Sequence, residues 1–158
     1  MILLAILGQH KISGQKSQLS AFKELSGGVQ KFSILGLPTT QKILSVDERG
    51  FTVQMSMEGH RKPKLITIQT LTWRNVVRVQ IWKRPGQLTR VFVYCNPPEK
   101  FETISPGPAP GPIHDISTQP AGEIDFRNTS TAALFASDLV ALAKNFGAKH
   151  AFESLDIK

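Results

Sequence analysis

The stretch Leu71–Lys83, L-T-W-R-N-V-V-R-V-Q-I-W-K, constrains the fold more than any other part of the chain. It opens on a Trp in a polar corner, Leu71-Thr72-Trp73-Arg74-Asn75. It then alternates, with Val77, Val79 and Ile81 on one face and Arg78, Gln80 and Trp82 on the other. Period-two alternation marks a strand with one buried and one solvated side. Trp82 falls on the side that should meet water. A strand with a dry inner side and an amphipathic outer side suits a scaffold that accepts something along its edge.

Around this strand the chain has room for one domain with a real core: 158 residues, 41% apolar and 20% charged. Its net charge of +7 is uneven. Residues 1–100 carry 15 Lys/Arg against 5 Asp/Glu, and residues 101–158 carry 4 against 7. A basic first part suits anionic partners such as headgroups, nucleic acid or acidic peptides, as well as plain solubility. Cys95 is the single cysteine, which excludes an intramolecular disulfide and fits a reducing compartment. The apolar start, Met1–Gly8, lacks a basic n-region and is too short to span a bilayer. It reads as a packed strand or helix turn.

In chain order, Leu19, Phe22 and Leu25 predict a short amphipathic helix within 15–26, stopped by Gly27-Gly28. Strands are expected over Lys31–Leu37, Lys42–Asp47, Phe51–Met57, Leu65–Thr70 (Ile66 and Ile68 inward), Val76–Lys83 and Leu88–Cys95. Gly50 follows Glu48-Arg49 where positive φ suits a turn, and Arg84-Pro85-Gly86-Gln87 has type II composition. Asn96–Ala121 holds seven of the ten prolines and is expected to be an extended, mobile loop without a ladder. Gly122–Arg127 resumes as a seventh strand. Asn128-Thr129-Ser130-Thr131 then offers N-caps for a helix over Thr131–Phe146, with Gly147 at its end. The stripe Phe135, Leu139, Leu142 and Phe146 makes that helix part of the core.

The predicted fold is therefore mainly β with α: a seven-stranded antiparallel barrel or sandwich capped by one C-terminal helix. That element count resembles the pleckstrin-homology/PTB superfold. Lys42–Val53, K-I-L-S-V-D-E-R-G-F-T-V, is similar to a hairpin in the third, C-terminal lobe of FERM domains. Leu71–Val79 is similar to that lobe's aromatic corner. The resemblance implies a domain over 30–150 with a Pro-rich insertion at 96–121, an N-terminal extension 1–29 left from a neighbouring lobe, and a tail at 151–158. It also implies a non-catalytic adaptor or scaffold, cytoplasmic and peripheral at membrane or cytoskeleton. A protein segment such as a cytoplasmic tail would add to the fifth strand, in the groove between that strand and the C-terminal helix. Carried over here, the peptide site is Arg78, Gln80 and Trp82, with Lys144 and Lys149 at the rim, and Trp82 as the anchor.

A second site rests on charge. His60, Arg61, Lys62 and Lys64 in one turn, with Lys83, Arg84 and Arg90 near another, form basic clusters for phosphoinositides or an anionic membrane. A solvated basic turn explains the same residues. Nucleic acid is the competing partner, because Phe51, Trp73, Trp82, Phe92 and Tyr94 are interleaved with basic strands, as in a basic nucleic-acid-binding or viral β-rich protein. A purely structural lobe of a larger protein is the third reading. Catalysis is not expected: the four His are scattered, no phosphate loop, G-x-S-x-G or paired-carboxylate pattern occurs, and neither cofactor nor metal is implied.

Overall fold

A computed structural model describes residues 14, 18–24, 30–34, 36–58, 64–83, 86–107, 111–149 and 151–157, with the backbone alone for 152–157. Residues 18–24 form helix α1. The strands are β1 (Gln30–Ile34), β2 (Leu37–Val46), β3 (Gly50–Met57), β4 (Leu65–Thr72), β5 (Val76–Lys83), β6 (Thr89–Ser105) and β7 (Ile113–Phe126). Helix α2 (Thr129–Asn145) and a last strand, β8 (Phe152–Ile157), complete the chain. The expected class holds: seven antiparallel strands and one C-terminal helix.

The first four strands form a meander. β4 and β5 then run end to end along the same partner: β6 pairs with β5 through Thr89–Cys95 and with β4 through Phe101–Ile104. The 3-10 turn Trp73–Asn75 joins the two. β7 follows β6 along almost its whole length. The eight strands thus form one sheet, in which β1-β2-β3-β4 continues into the far halves of β6 and β7, and β8-β5 into their near halves.

The segment expected to be a loop, 96–121, is instead the far half of this hairpin, an arm of paired strands. Proline excludes a ladder only where its missing N–H is needed. Pro97, Pro98 and Pro120 fall in the gap where the β6–β7 register shifts, between Tyr94 and Glu99. Pro106 and Pro112 fall between the strands, and Pro108 and Pro110 lie outside the described residues. The tail, too, is a strand, and it pairs parallel with β5.

The sheet does not close into a barrel by main-chain ladders. Two buried glutamines bridge the seam. Gln41 on β2 accepts from the Asp125 N–H (3.0 Å) and donates to the Asp125 carbonyl (3.1 Å). Gln69 on β4 accepts the Glu123 N–H at 2.8 Å. Their amides stand in for a neighbouring strand along the near half of β7, which satisfies backbone groups that would be costly to bury alone. Gly122 sits under this bridge: a Cβ there would lie 2.7 Å from the Gln69 Oε1, so the glutamine side chain would have to shift. The core face of β4 is consequently that of Gln69 and Leu71, and Ile66 and Ile68 are only half-buried on the opposite face.

The core is one cluster. Trp73, Phe22, Phe51 and Phe135 are its largest wholly buried side chains, together with Phe126. α1 contributes Phe22, whose ring lies 4.8 Å from Phe135 and 5.5 Å from both Phe51 and Trp73. Residues 18–24 therefore pack into the core through Phe22, with Leu19 against it. Met1–Gly8 and Leu25 lie outside the described residues. α2 starts two residues earlier than expected because Asn128 is the N-cap, its side chain accepting from the Ser130 N–H at 2.8 Å. It ends at a positive-φ Gly147. Within β5, a register shift between Val76 and Arg78 moves Val76 into the core and leaves Val77 half-buried.

Gly50 is needed for a different reason than its turn position implied. Its φ is not positive. It pairs with Thr72, and a Cβ built on it would sit 1.9 Å from the Leu71 carbonyl oxygen. Because the obstacle is backbone, Gly50→Ala must push β3 and β4 apart. The expected cost is about 1–3 kcal/mol or more, measured as a lowered urea midpoint. A midpoint equal to that of the parent would contradict the close approach.

Candidate functional site

Strand alternation in β5 turns Val79 and Ile81 into the core beneath α2, so Arg78, Gln80 and Trp82 project from the opposite face of the sheet, each half-buried. They meet the outward side chains of β6, whose register sets Arg78 against Tyr94, Gln80 against Phe92 and Trp82 against Arg90. The Arg78 guanidinium lies 4.0 Å above the Tyr94 ring, within cation–π range. Tyr94 donates its hydroxyl to the Gln80 Oε1 at 3.0 Å. Trp82 meets Phe92 edge-on at 6.4 Å. The result is an aromatic and cationic patch. Sequence reasoning named its β5 half as a site. Phe92 and Tyr94 stood only among scattered aromatics, although two outward faces in register on neighbouring strands was the available signal.

Lys144 and Lys149 do not join that patch. Both are exposed, one in the last turn of α2 and one just beyond it, and α2 packs on the inner face of β5. The five residues assigned to the peptide site are therefore split by the sheet. Nor is the edge of β5 vacant: β8 runs along it from Arg78 opposite Phe152 to Lys83 opposite Ile157. The groove expected for a partner's strand is filled by the chain's own.

At the end of β5 lies a cavity of about 620 Å³, lined by Ser33, Ile34, Trp82, Leu88, Arg90, Asp125 and Arg127 among others. Arg90 makes two bonds to the wholly buried Asp125, at 2.7 and 3.2 Å, and an ion pair with Glu123 at 3.0 Å. Burial alone would lower the pKa of Arg90, but the hydrogen bond and the two carboxylate charges raise it overall. Arg90 was expected to take part in anion binding; here its charge is met by two acids within the fold. Arg127 on the same wall donates to the Lys31 carbonyl.

Of the other basic residues, Lys64 is exposed just before β4 and Lys83 is half-buried at the end of β5. His60, Arg61, Lys62 and Arg84 lie outside the described residues. Two of the five aromatics considered for base stacking, Phe51 and Trp73, are core. Cys95 is buried, and burial pushes its thiol up to about 12, with the Glu99 charge adding to the shift. A thiol held protonated in this way is a poor nucleophile at neutral pH. Among the described residues no group of three or more His, Cys, Asp or Glu could hold a metal ion, and no helix is long and apolar enough to cross a membrane.

No protein family, curated protein or solved structure matches this chain.

Proposed function

We propose that this protein is a non-catalytic binding module whose acceptor is the edge of β5, and that β8 is the resident occupant of that edge, exchanged for an extended segment of a partner protein. The observation that carries this reading is the β5–β8 ladder itself, Arg78–Lys83 against Phe152–Ile157. An edge that takes one six-residue strand offers the same row of N–H and C=O groups to another. β8 suits a displaceable occupant. Among the described residues its one ladder is with β5, and that ladder is the one parallel pairing in an otherwise antiparallel sheet, a slightly weaker pairing.

The resemblance to PTB domains and FERM third lobes assigns peptide recognition to the same strand and supports an adaptor or scaffold working at cytoplasmic surfaces of membranes or the cytoskeleton. In this reading the partner's side chains contact Trp82, with Arg78 and Gln80 beside it. Lys64 and Lys83 supply contact to anionic lipid. With Arg90 matched by Asp125 and Glu123, lipid contact is secondary to peptide contact.

The test removes residues 152–158 and follows amide hydrogen exchange. Protection of Val76–Lys83 should fall on truncation. It should return when a synthetic peptide of residues 152–158 is added in trans, and candidate partner segments should compete for the same amides. Trp82→Ala should weaken such a partner segment by about tenfold or more. Unchanged exchange in β5 after truncation, or no response of those amides to saturating peptide, would sink the reading.

A further inference from the structure

We propose that the far edge of β7, Ile113–Gln119, pairs antiparallel with the same edge of a second copy of this chain, about a two-fold axis at Ile116. The two halves of β7 differ sharply. Along the near half, Gln41 and Gln69 bind the edge groups of Glu123 and Asp125. Along the far half, the only ladder among the described residues is with β6 on the other side. Every residue from Ile113 to Pro120 is exposed, Ile113 at 52% and Ile116 at 62%.

Soluble proteins protect such edges with Lys, Pro, bulges or a covering element. Ile113–Gln119, I-H-D-I-S-T-Q, contains neither Lys nor Pro, and the β6–β7 ladder over it runs without a register shift. An edge so left open is a surface for strand pairing.

Why the occupant is a second copy follows from the frame of this segment. Pro112 and Pro120 bound it, and neither has an N–H to give. The pairable run therefore ends at Ile113 and Gln119, and its midpoint is Ile116. Pairing two such runs end to end sets Ile116 against Ile116, Asp115 against Ser117, His114 against Thr118 and Ile113 against Gln119. No like charges are directly opposed, and the exposed isoleucine at the axis gains an apolar partner. Shifting the axis to Asp115 would oppose carboxylate to carboxylate, a destabilising pair. The neighbouring charge on β6 is engaged locally, with Glu102 3.6 Å from the Lys100 Nζ and 3.5 Å from the His114 Nδ1. Such a two-fold contact is isologous and closed, and it continues the sheet β1-β2-β3-β4-β6-β7 across the axis. It does not depend on the β5 reading, since it uses a different strand.

A single strand pair is a small interface, so the dimer belongs to the weak class. Sedimentation equilibrium of the full chain from micromolar to millimolar concentration should show the weight-average mass rising toward twice the monomer value. Ile116→Lys, which opposes two cations at the axis, should hold the monomer mass across that range with an unchanged thermal midpoint. Ile116→Cys should close to a disulfide-linked dimer under mild oxidation, because directly opposed Cα atoms about 4.5–5.5 Å apart fit disulfide geometry. Ile113→Cys should not, since its opposite residue is Gln119. The buried Cys95 keeps the background low. A constant monomer mass for the parent, association of Ile116→Lys equal to the parent, or equal cross-linking at 113 and 116 would each overturn the proposal. Should Ile116→Lys fail to fold, the cysteine pair still decides.

Discussion

Replacing Trp73 with Ala should lower the unfolding free energy by about 3–5 kcal/mol, seen as a lower denaturant midpoint at little-changed slope. The ring is wholly buried, tilted against Phe51 at 5.0 Å, edge-on to Phe22 at 5.5 Å and stacked on Phe146 at 6.4 Å. It also fastens the corner between β4 and β5 to the β2–β3 turn. Its indole N–H donates to the Asp47 carbonyl at 2.8 Å, and its backbone N–H donates to the Arg49 carbonyl at 3.0 Å. That turn is closed in addition by the Asp47 Oδ1, which accepts from the N–H groups of Arg49 and Gly50. Trp73→Phe separates the two contributions. It keeps most of the packing and removes the indole donor, so a loss of about 1–3 kcal/mol is expected for the carbonyl left unpaired. A Trp73→Ala loss below that of Trp73→Phe would show that the ring does not organise the core.

Phe135→Ala should cost a similar ~3–5 kcal/mol for a different reason. Phe135 is where α1, α2, β3 and β7 meet: its ring lies 4.8 Å from Phe22, 5.0 Å from Phe126 and 6.3 Å from Phe51. Leu134, the preceding residue of the same helix, is 59% exposed. Leu134→Ala should therefore stay within about 0.5 kcal/mol of the parent, which makes the pair a test of the helix's orientation as well as of the core. Trp73 and Phe135 share Phe22 and Phe51 as neighbours. The double variant should depart from additivity by about 0.5 kcal/mol or more, and strict additivity would mean that the two rings sit in separate clusters.

Both predictions rest on features that differ in how plainly the sequence announces them. The alternation of β5 was legible because its period is a property of the strand itself. It placed Val79 and Ile81 inside and Arg78, Gln80 and Trp82 outside without knowledge of any neighbour. The same holds for the stripe of α2 and the positive-φ glycines Gly86 and Gly147. Each depends on residues within one or two turns of the chain.

What was not legible depends on partners far away in the chain. The prolines of 96–121 argue against a strand until the β6–β7 register puts them in a bulge or between strands. Gln41 and Gln69 look like surface residues, and their burial makes sense only when the edge of β7 lies beside them with N–H and C=O groups to satisfy. Lys144 and Arg78 could be imagined in one groove, since nothing local says which side of the sheet a helix will cover. The candidate site divided along the same line.

Local periodicity, set by backbone geometry and side-chain polarity, thus determined the elements and the inward or outward direction of most of their side chains. Pairing between distant segments decided the rest: that β8 lies on the edge of β5, that Arg90 is matched by Asp125 and Glu123, and that among the described residues the far half of β7 has no ladder on its outer edge. The physical reason is that edge hydrogen bonds and buried ion pairs join residues tens of positions apart. Removing water from either partner alone costs free energy that only the pairing offsets, and neither partner carries that information alone.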